Sequence, residues 1–381
     1  MDLPFLMLVV LLTGIGVITV FSASYATAAS QGRGATYFFL RQAVFAVLGI
    51  VGMYIISRIN YQHFRWMSVF ALLAAFACLL LVLTPLGYGW DTVGAQRWLR
   101  IPIAGSVQPS EVAKLGVILY FSARLSKRSS EKKRKYDTKT TLGAILQILD
   151  NWGLMELIPY GVILLIILIL MYFEPHMSGA ILIMVAAAAV LFAGGVNLRW
   201  FALGGTFVVG FLLLTMQGYQ SLRIKIWQDP WAYPRDGGYQ IIQSLYAIGS
   251  GGLFGVGFGQ SRQKQLFLPE PENDFIFSIW CEEMGLVGAA VVLVLFALLV
   301  LRGYWIALHA RDRFGSLLTV GIITLMAVQV FLNISVVTNL LPTTGISLPF
   351  FSYGGTALLI QLAMMGIVLS VSRQIPAPKQ G

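Results

Sequence analysis

Charge is what this 381-residue chain has least of: Asp, Glu, Lys and Arg make up 11% of it, against 57% hydrophobic residues. A soluble domain carries about a quarter charged residues, so the deficit excludes a water-soluble globular protein. The only two cysteines, Cys78 and Cys281, lie in or at the edge of apolar segments, which leaves no disulfide framework and no cysteine metal site. The three histidines, His63, His176 and His309, fall in different connections, so neither a His-rich metal site nor a Ser/His/Asp arrangement is visible. Met1-Asp2-Leu3-Pro4 lacks the basic region of a cleavable signal, and the first apolar segment is expected to be retained. No internal repeat is apparent.

What is present is a series of apolar runs. Ten read as transmembrane helices: 4–22, 38–56, 67–84, 108–124, 157–172, 177–194, 200–216, 275–301, 315–338 and 351–371. The fifth is the shortest, and the preceding 141–155 reads as an amphipathic helix on the membrane surface. The expected fold is an all-α polytopic membrane protein, one transmembrane domain over 1–381.

The net charge of +10 invites a nucleic-acid reading, but eight of the 26 Lys and Arg lie in 124–139. Such a run in a membrane protein is a topological anchor against anionic lipid. With the N-terminus inside, 16 basic residues fall on the cytoplasmic side and nine outside, so both termini are expected in the cytoplasm. The basic loop 124–156 is then cytoplasmic, and the long connections 85–107 and 217–274 are extracytoplasmic. Loops beyond about 15 residues are functional or disordered. The segment 217–274, between spans seven and eight, is too aromatic and too patterned for disorder.

Several groups could do chemistry. Asp274 falls where the polar loop meets span eight, and partial desolvation there would suit a general base. An equally good reading makes it the N-cap of that span. Glu111 and Lys114, three residues apart after Pro109 and Ser110, share a helix face inside span four. Ionisable residues there mark a polar site or a structural ion pair. Glu282 and Glu283 follow below Asp274; at most one faces the bundle centre, and Glu283 can instead pair with a neighbouring cation. Arg223, Lys225, Arg262 and Lys264 suit a phosphate or pyrophosphate headgroup, or are ordinary loop solvation. The glycines of 249–259 follow no predicted strand, which excludes a nucleotide fingerprint and points to a tight re-entrant or loop fold.

Ordered motifs run the length of the chain: Gly94-Ala95-Gln96-Arg97-Trp98, Gln108-Pro109-Ser110-Glu111 with Lys114, and Arg223-Ile224-Lys225-Ile226-Trp227-Gln228-Asp229-Pro230. Gly238-Tyr239-Gln240, Phe267-Leu268-Pro269-Glu270, Asp274-Phe275-Ile276-Phe277, Leu341-Pro342-Thr343-Thr344-Gly345 and Leu348-Pro349-Phe350-Phe351-Ser352-Tyr353-Gly354-Gly355 follow. On these the chain resembles the SEDS family (shape, elongation, division and sporulation). It is more similar to the division branch, FtsW, and its sporulation relative SpoVE than to RodA.

The resemblance implies a peptidoglycan glycosyltransferase of the bacterial cytoplasmic membrane, at the division septum, that polymerises lipid II and releases undecaprenyl pyrophosphate. It implies Asp274 as the base that activates the acceptor hydroxyl. The basic loop residues, Arg97, Trp98, Glu111 and Lys114 would be substrate contacts, with Ser110 and Glu283 in support. It also implies a class B penicillin-binding protein and other divisome membrane proteins as partners, no nucleic acid, and an association with a divalent cation, Mg or Mn, for which no site is visible. Two departures stand out: Glu272-Asn273 where many members have His-Thr, and Glu174-Pro175-His176-Met177-Ser178 in place of the commoner Glu-Pro-Asp-Leu-Gly. The rival readings are a lipid II flippase, a RodA-type elongation polymerase and a scaffold. Against the flippase, neither inverted repeats nor paired broken spans are apparent.

Overall fold

A computed structural model describes residues 1–89, 96–101, 105–127, 147, 153–174, 176–215, 219–235 and 237–376. Gly94, Ala95, Asp236 and most of the basic loop lie outside them, as does nearly all of the expected surface helix 141–155. Each of the ten apolar runs lies on a helix. These are α1 (Leu3–Ser30), α2 (Tyr37–Arg58), α3 (Gln62–Val82), α4 (Pro109–Lys127), α5 (Leu154–Phe173), α6 (Met177–Ala193), α7 (Leu198–Thr215), α10 (Ile276–Leu308), α11 (Arg313–Val337) and α12 (Gly355–Arg373). Six of them, α1, α2, α3, α10, α11 and α12, are long and apolar enough to cross a membrane. The protein is a multi-pass helical membrane protein.

Three features depart from the sequence reading. The long connection 85–107 carries, among its described residues, a small antiparallel sheet, β1 (Gly87–Tyr88), β2 (Trp98–Ile101) and β3 (Gly105–Val107), so the chain is not wholly α. Apolar periodicity cannot report strands this short. The connection 217–274 holds two helices, α8 (Tyr219–Gln228) and α9 (Gly238–Ser250). Residues 351–354, expected in the last span, are non-helical and precede α12.

The chain divides into two compact units. The second, residues 61–210 with 311–321, contains α3 to α6, most of α7, the sheet and the first turns of α11. Pro109 opens α4, where its missing N–H costs nothing. Gly116 lets α4 close on α3, since a Cβ there would sit 2.8 Å from the Ala71 carbonyl oxygen.

The first unit, residues 1–60, 211–310 and 322–381, contains α1, α2, α8 to α10, most of α11, and α12. Its core includes the irregular segment from Ile346 to Gly354. Leu348, Phe350 and Phe351 are fully buried there, in apolar surroundings that offer backbone groups no water. Side chains of the helices take its place. Asn333 Nδ2 donates to the Ile346 carbonyl, Gln329 Nε2 to that of Ser347, and Gln42 Nε2 to that of Ser352. The Phe350 N–H donates to Gln361 Oε1, and the Gly354 N–H to Gln42 Oε1.

A second irregular segment enters α10. That helix breaks at Gly285, which stands at φ 65°. A non-glycine residue would be strained there. Chain from the glycine-rich stretch fills the break: the Val256 and Gly257 N–H groups donate to the Glu282 and Glu283 carbonyls. In return the Leu286 and Val287 N–H groups donate to the Gly252 and Leu253 carbonyls. The approach leaves no room for a side chain, because a Cβ on Gly255 would lie 2.1 Å from the Glu283 carbonyl oxygen. The broken span, one among the described residues, is a feature the sequence reading missed.

Glycine-to-alanine substitutions separate strain from contact. Gly252 is left-handed but has open space beside it, whereas Gly255 is left-handed and pressed against α10. Gly252→Ala is expected to cost about 1 kcal/mol and Gly255→Ala about 3 kcal/mol or more in unfolding of the purified protein. Equal costs would remove the backbone insertion as the reason for the glycine.

Candidate functional site

Within the first unit, three sequence-distant motifs meet around Asp274. It closes the turn before α10, half-buried, and its carbonyl accepts from Asn333 Nδ2 at 2.7 Å, the amide that also holds Ile346. It is not the N-cap: Phe275 stands at that position, and no side chain caps the helix. Gly345 lies against the carboxylate, with Asp274 Oδ2 3.5 Å from where its Cβ would be. Thr343, two residues earlier, accepts at its carbonyl from Arg223 on α8 at 2.9 Å. One turn on, Trp227 Nε1 donates to the Asn339 carbonyl at 3.1 Å and Asn339 Nδ2 returns a bond to Trp227. α8 is thereby fixed to the end of α11, and the Thr343–Gly345 backbone lies between α8 and Asp274.

The other loop cations divide. Lys225 and Arg262 have exposed side chains. Lys264, expected beside them as a pyrophosphate contact, is 3% exposed, with Nζ 2.8 Å from both Glu283 Oε1 and Ser22 Oγ on α1. The sequence placed it in a polar loop, but the loop folds back over α10 and takes the lysine inside. An ammonium there needs a counter-ion, and Glu283 is it. Glu282 also serves the loop, accepting from Ser261 Oγ at 2.5 Å and from the N–H groups of Arg262 and Gln263. Neither glutamate presents a free carboxylate to a substrate.

Glu272, one of the two departures, is buried and accepts from Thr27 Oγ1 at 3.3 Å. Burial holds its carboxyl above the usual range.

The second unit holds a separate polar cluster. Lys114 Nζ lies 2.5 Å from Glu111 Oε1, with both residues buried on α4. Gln108 Nε2 stands 3.3 Å from His176 Nε2 at the start of α6. Glu174, at the end of α5, is 1% exposed, and burial pushes its carboxyl up to about 8 against the pull of Arg97. Burial, with the charges of Arg97 and Lys114, pushes the His176 imidazole down to about 3. At neutral pH the acid is therefore protonated and the imidazole uncharged. Ser110 Oγ, Glu111 Oε2, His176 Nδ1 and both Glu174 carboxyl oxygens have no hydrogen-bond partner among the described residues. Trp98 lies on β2 against Tyr88, ring centroids 6.3 Å apart. Glu174, His176 and Asn333 escaped the sequence reading as site residues. The available signal for Asn333 was an amide in the middle of an apolar run. A hydrophobic pocket of about 510 Å³ opens in the same unit between α5, α6 and α7, lined by Tyr160, Leu164, Met184, Trp200 and Phe201 among others.

Two outcomes follow. Lys264→Met strands the Glu283 carboxylate and is expected to cost about 3 to 5 kcal/mol. Arg262→Ala should cost about 0.5 kcal/mol or less. Combining Lys264→Met with Glu283→Met restores much of the loss. A milder effect at Lys264 than at Arg262 in denaturation would refute the pairing. For Glu174, the raised pKa means its contribution to stability is complete below the ordinary value of 4.5 and is lost as pH rises toward 8. Glu174→Gln should thus match the parent in Tm near about pH 5 and exceed it by a margin that widens up to about pH 8.5. A margin independent of pH would show that the acid is not held protonated.

The comparisons agree over the whole chain. The family model for FtsW, RodA and SpoVE, described as "Cell cycle protein", matches residues 3–376. A "Probable peptidoglycan glycosyltransferase FtsW" of Geobacter metallireducens is 39% identical, over 98% of this chain and 95% of its own length. Stage V sporulation protein E of Bacillus subtilis is also 39% identical, over 98% and 97%. Among solved structures, a chain from work on "Structural coordination of polymerization and crosslinking by a peptidoglycan synthase complex" superposes with a TM-score of 0.73 at 27% identity, covering 98% of both chains. The rod shape determining protein RodA of Thermus thermophilus gives 0.70 at 25% identity, covering 99% of this chain and 98% of its own. With the motifs around Asp274 and Glu111 in place, the chain belongs to the FtsW/RodA/SpoVE family of cell cycle proteins.

Proposed function

We propose that this protein is a peptidoglycan glycosyltransferase that polymerises lipid II on the outer face of the cytoplasmic membrane, in division or sporulation. The observation that carries the activity is full-length similarity to relatives named for it. We place all ten helices across the membrane, both termini in the cytoplasm and residues 217–274 outside, following the distribution of basic residues.

Asp274 acts as the general base. Its carboxylate takes the proton of the acceptor sugar hydroxyl as that oxygen attacks the anomeric carbon of the donor. The bond from that carbon to the pyrophosphate oxygen breaks, and undecaprenyl pyrophosphate leaves with the electron pair. Supporting the assignment, Asp274 is fixed through its carbonyl by Asn333 while its side chain is only half-buried. Lys225 and Arg262, exposed on the same loop, and Arg223 beside Thr343 supply positive charge for the departing pyrophosphate. Lys264 drops out of that set. In the second unit, Arg97, Trp98 and the Glu111–Lys114 pair, with Ser110 beside it, are assigned to substrate binding.

Among the described residues no group of three or more His, Cys, Asp or Glu could hold a metal ion. A class B penicillin-binding protein is the partner we infer, with other divisome membrane proteins at the septum; one structural neighbour comes from a complex that joins polymerisation to crosslinking.

Labelled lipid II supplied to the purified protein with its transpeptidase tests the proposal. Glycan polymer is expected from the parent and a loss of about 100-fold or more from Asp274→Asn. Movement of lipid II across the bilayer without polymer would replace the enzyme with a transporter. Undiminished polymer from Asp274→Asn would remove the base.

A further inference from the structure

The connection between α8 and α10 does not stay at the membrane surface. α9 descends beside α10: Ser244 Oγ meets Ser278 Oγ at 2.7 Å, Gly251 meets the Cys281 carbonyl, and Gly255 meets Glu283 and Gly285. Gly285 is nine residues beyond Ile276, the first residue of α10. At about 1.5 Å per residue, this is about 13 Å along the helix. The chain then returns, with Ser261 and Arg262 on the two glutamates and Pro269 accepting from Gln240 near the start of α9.

The tip of this excursion is apolar and uncovered. Leu253, Phe254, Val256 and Phe258 are exposed, Phe254 to 80%. No Asp, Glu, Lys or Arg occurs between Asp236 and Arg262. Beside the tip, Leu286 and Val287 are also exposed, and this apolar face continues along α10 through Val291 and Val294. α10 is the most hydropathic of the membrane-spanning helices, so its uncovered apolar face meets lipid. Backbone at this depth needs protein partners, and the break in α10 provides them.

We propose that residues 253–258 form a re-entrant tip whose side chains contact lipid acyl chains in the leaflet that the start of α10 enters. The tip is continuous with the lipid-facing surface of α10 and anchors the Asp274 end of that helix at a set depth. That the leaflet is the outer one rests on the topology proposed above.

Spin labels attached at Leu253→Cys and, separately, at Phe254→Cys test this in the full-length protein in nanodiscs, with Cys78 and Cys281 replaced by alanine. Both positions are exposed, so one label remains readable if the other perturbs the fold. Leu286→Cys is the lipid reference and Gln228→Cys, exposed on α8, the aqueous one. Oxygen collisions several-fold above those of a water-soluble nickel chelate are expected at 253, 254 and 286, with the reverse at 228. Nickel access at 253 and 254 equal to that at 228 would overturn the proposal. So would protection from both reagents, which would mean a protein surface, a partner helix or a second copy, covers the tip. Labelling of Gln228→Cys by a membrane-impermeant maleimide from the cytoplasmic side alone would overturn the outer-leaflet placement while leaving the collision result standing.

Discussion

A hydrocarbon solvent offers no partner to a bare backbone N–H or C=O, and that constraint organises the first unit of this protein. Regular helices meet it internally, so they need only apolar side chains. The two irregular segments cannot. The Ile346–Gly354 stretch is served by amides from α2, α11 and α12, which explains why Gln42, Gln329, Asn333 and Gln361 stand in otherwise apolar helices. The Gly252–Gly257 stretch is served by backbone groups that the break at Gly285 releases. In both cases departure from the helix is compensated bond by bond.

The proposed base depends on this compensation. Asn333 holds the Asp274 carbonyl with the same amide group that holds Ile346. The position of the carboxylate is thus tied to the segment that carries Gly345, and through Thr343 to Arg223 on α8. A residue at the edge of a long loop would ordinarily be mobile. Here it is fixed by an amide from a membrane helix.

Several of the buried ionisable groups among the described residues are either paired or neutral. Lys264 is paired with Glu283, and Lys114 with Glu111. Glu174 and His176 are held in their uncharged forms by burial, one pushed up to about 8 and the other down to about 3.

Hydropathy alone determined that the chain is a helical membrane protein, because an apolar run of about 20 residues has few other uses. The apolar runs it marked fall largely on helices among the described residues, and the glycine spacing of 249–259 announced close backbone approach. Asp274 was legible as a carboxylate at a loop–helix junction. Tertiary structure decided what composition cannot encode: which cation turns inward. Arg262 and Lys264 are two residues apart and alike in sequence context, yet one is exposed and the other buried. The difference arises because the loop folds back onto α10, where Glu283 and Ser22 of α1 converge on a single ammonium group. No local pattern reports a contact between residues 22, 264 and 283, so only the folded chain could assign it.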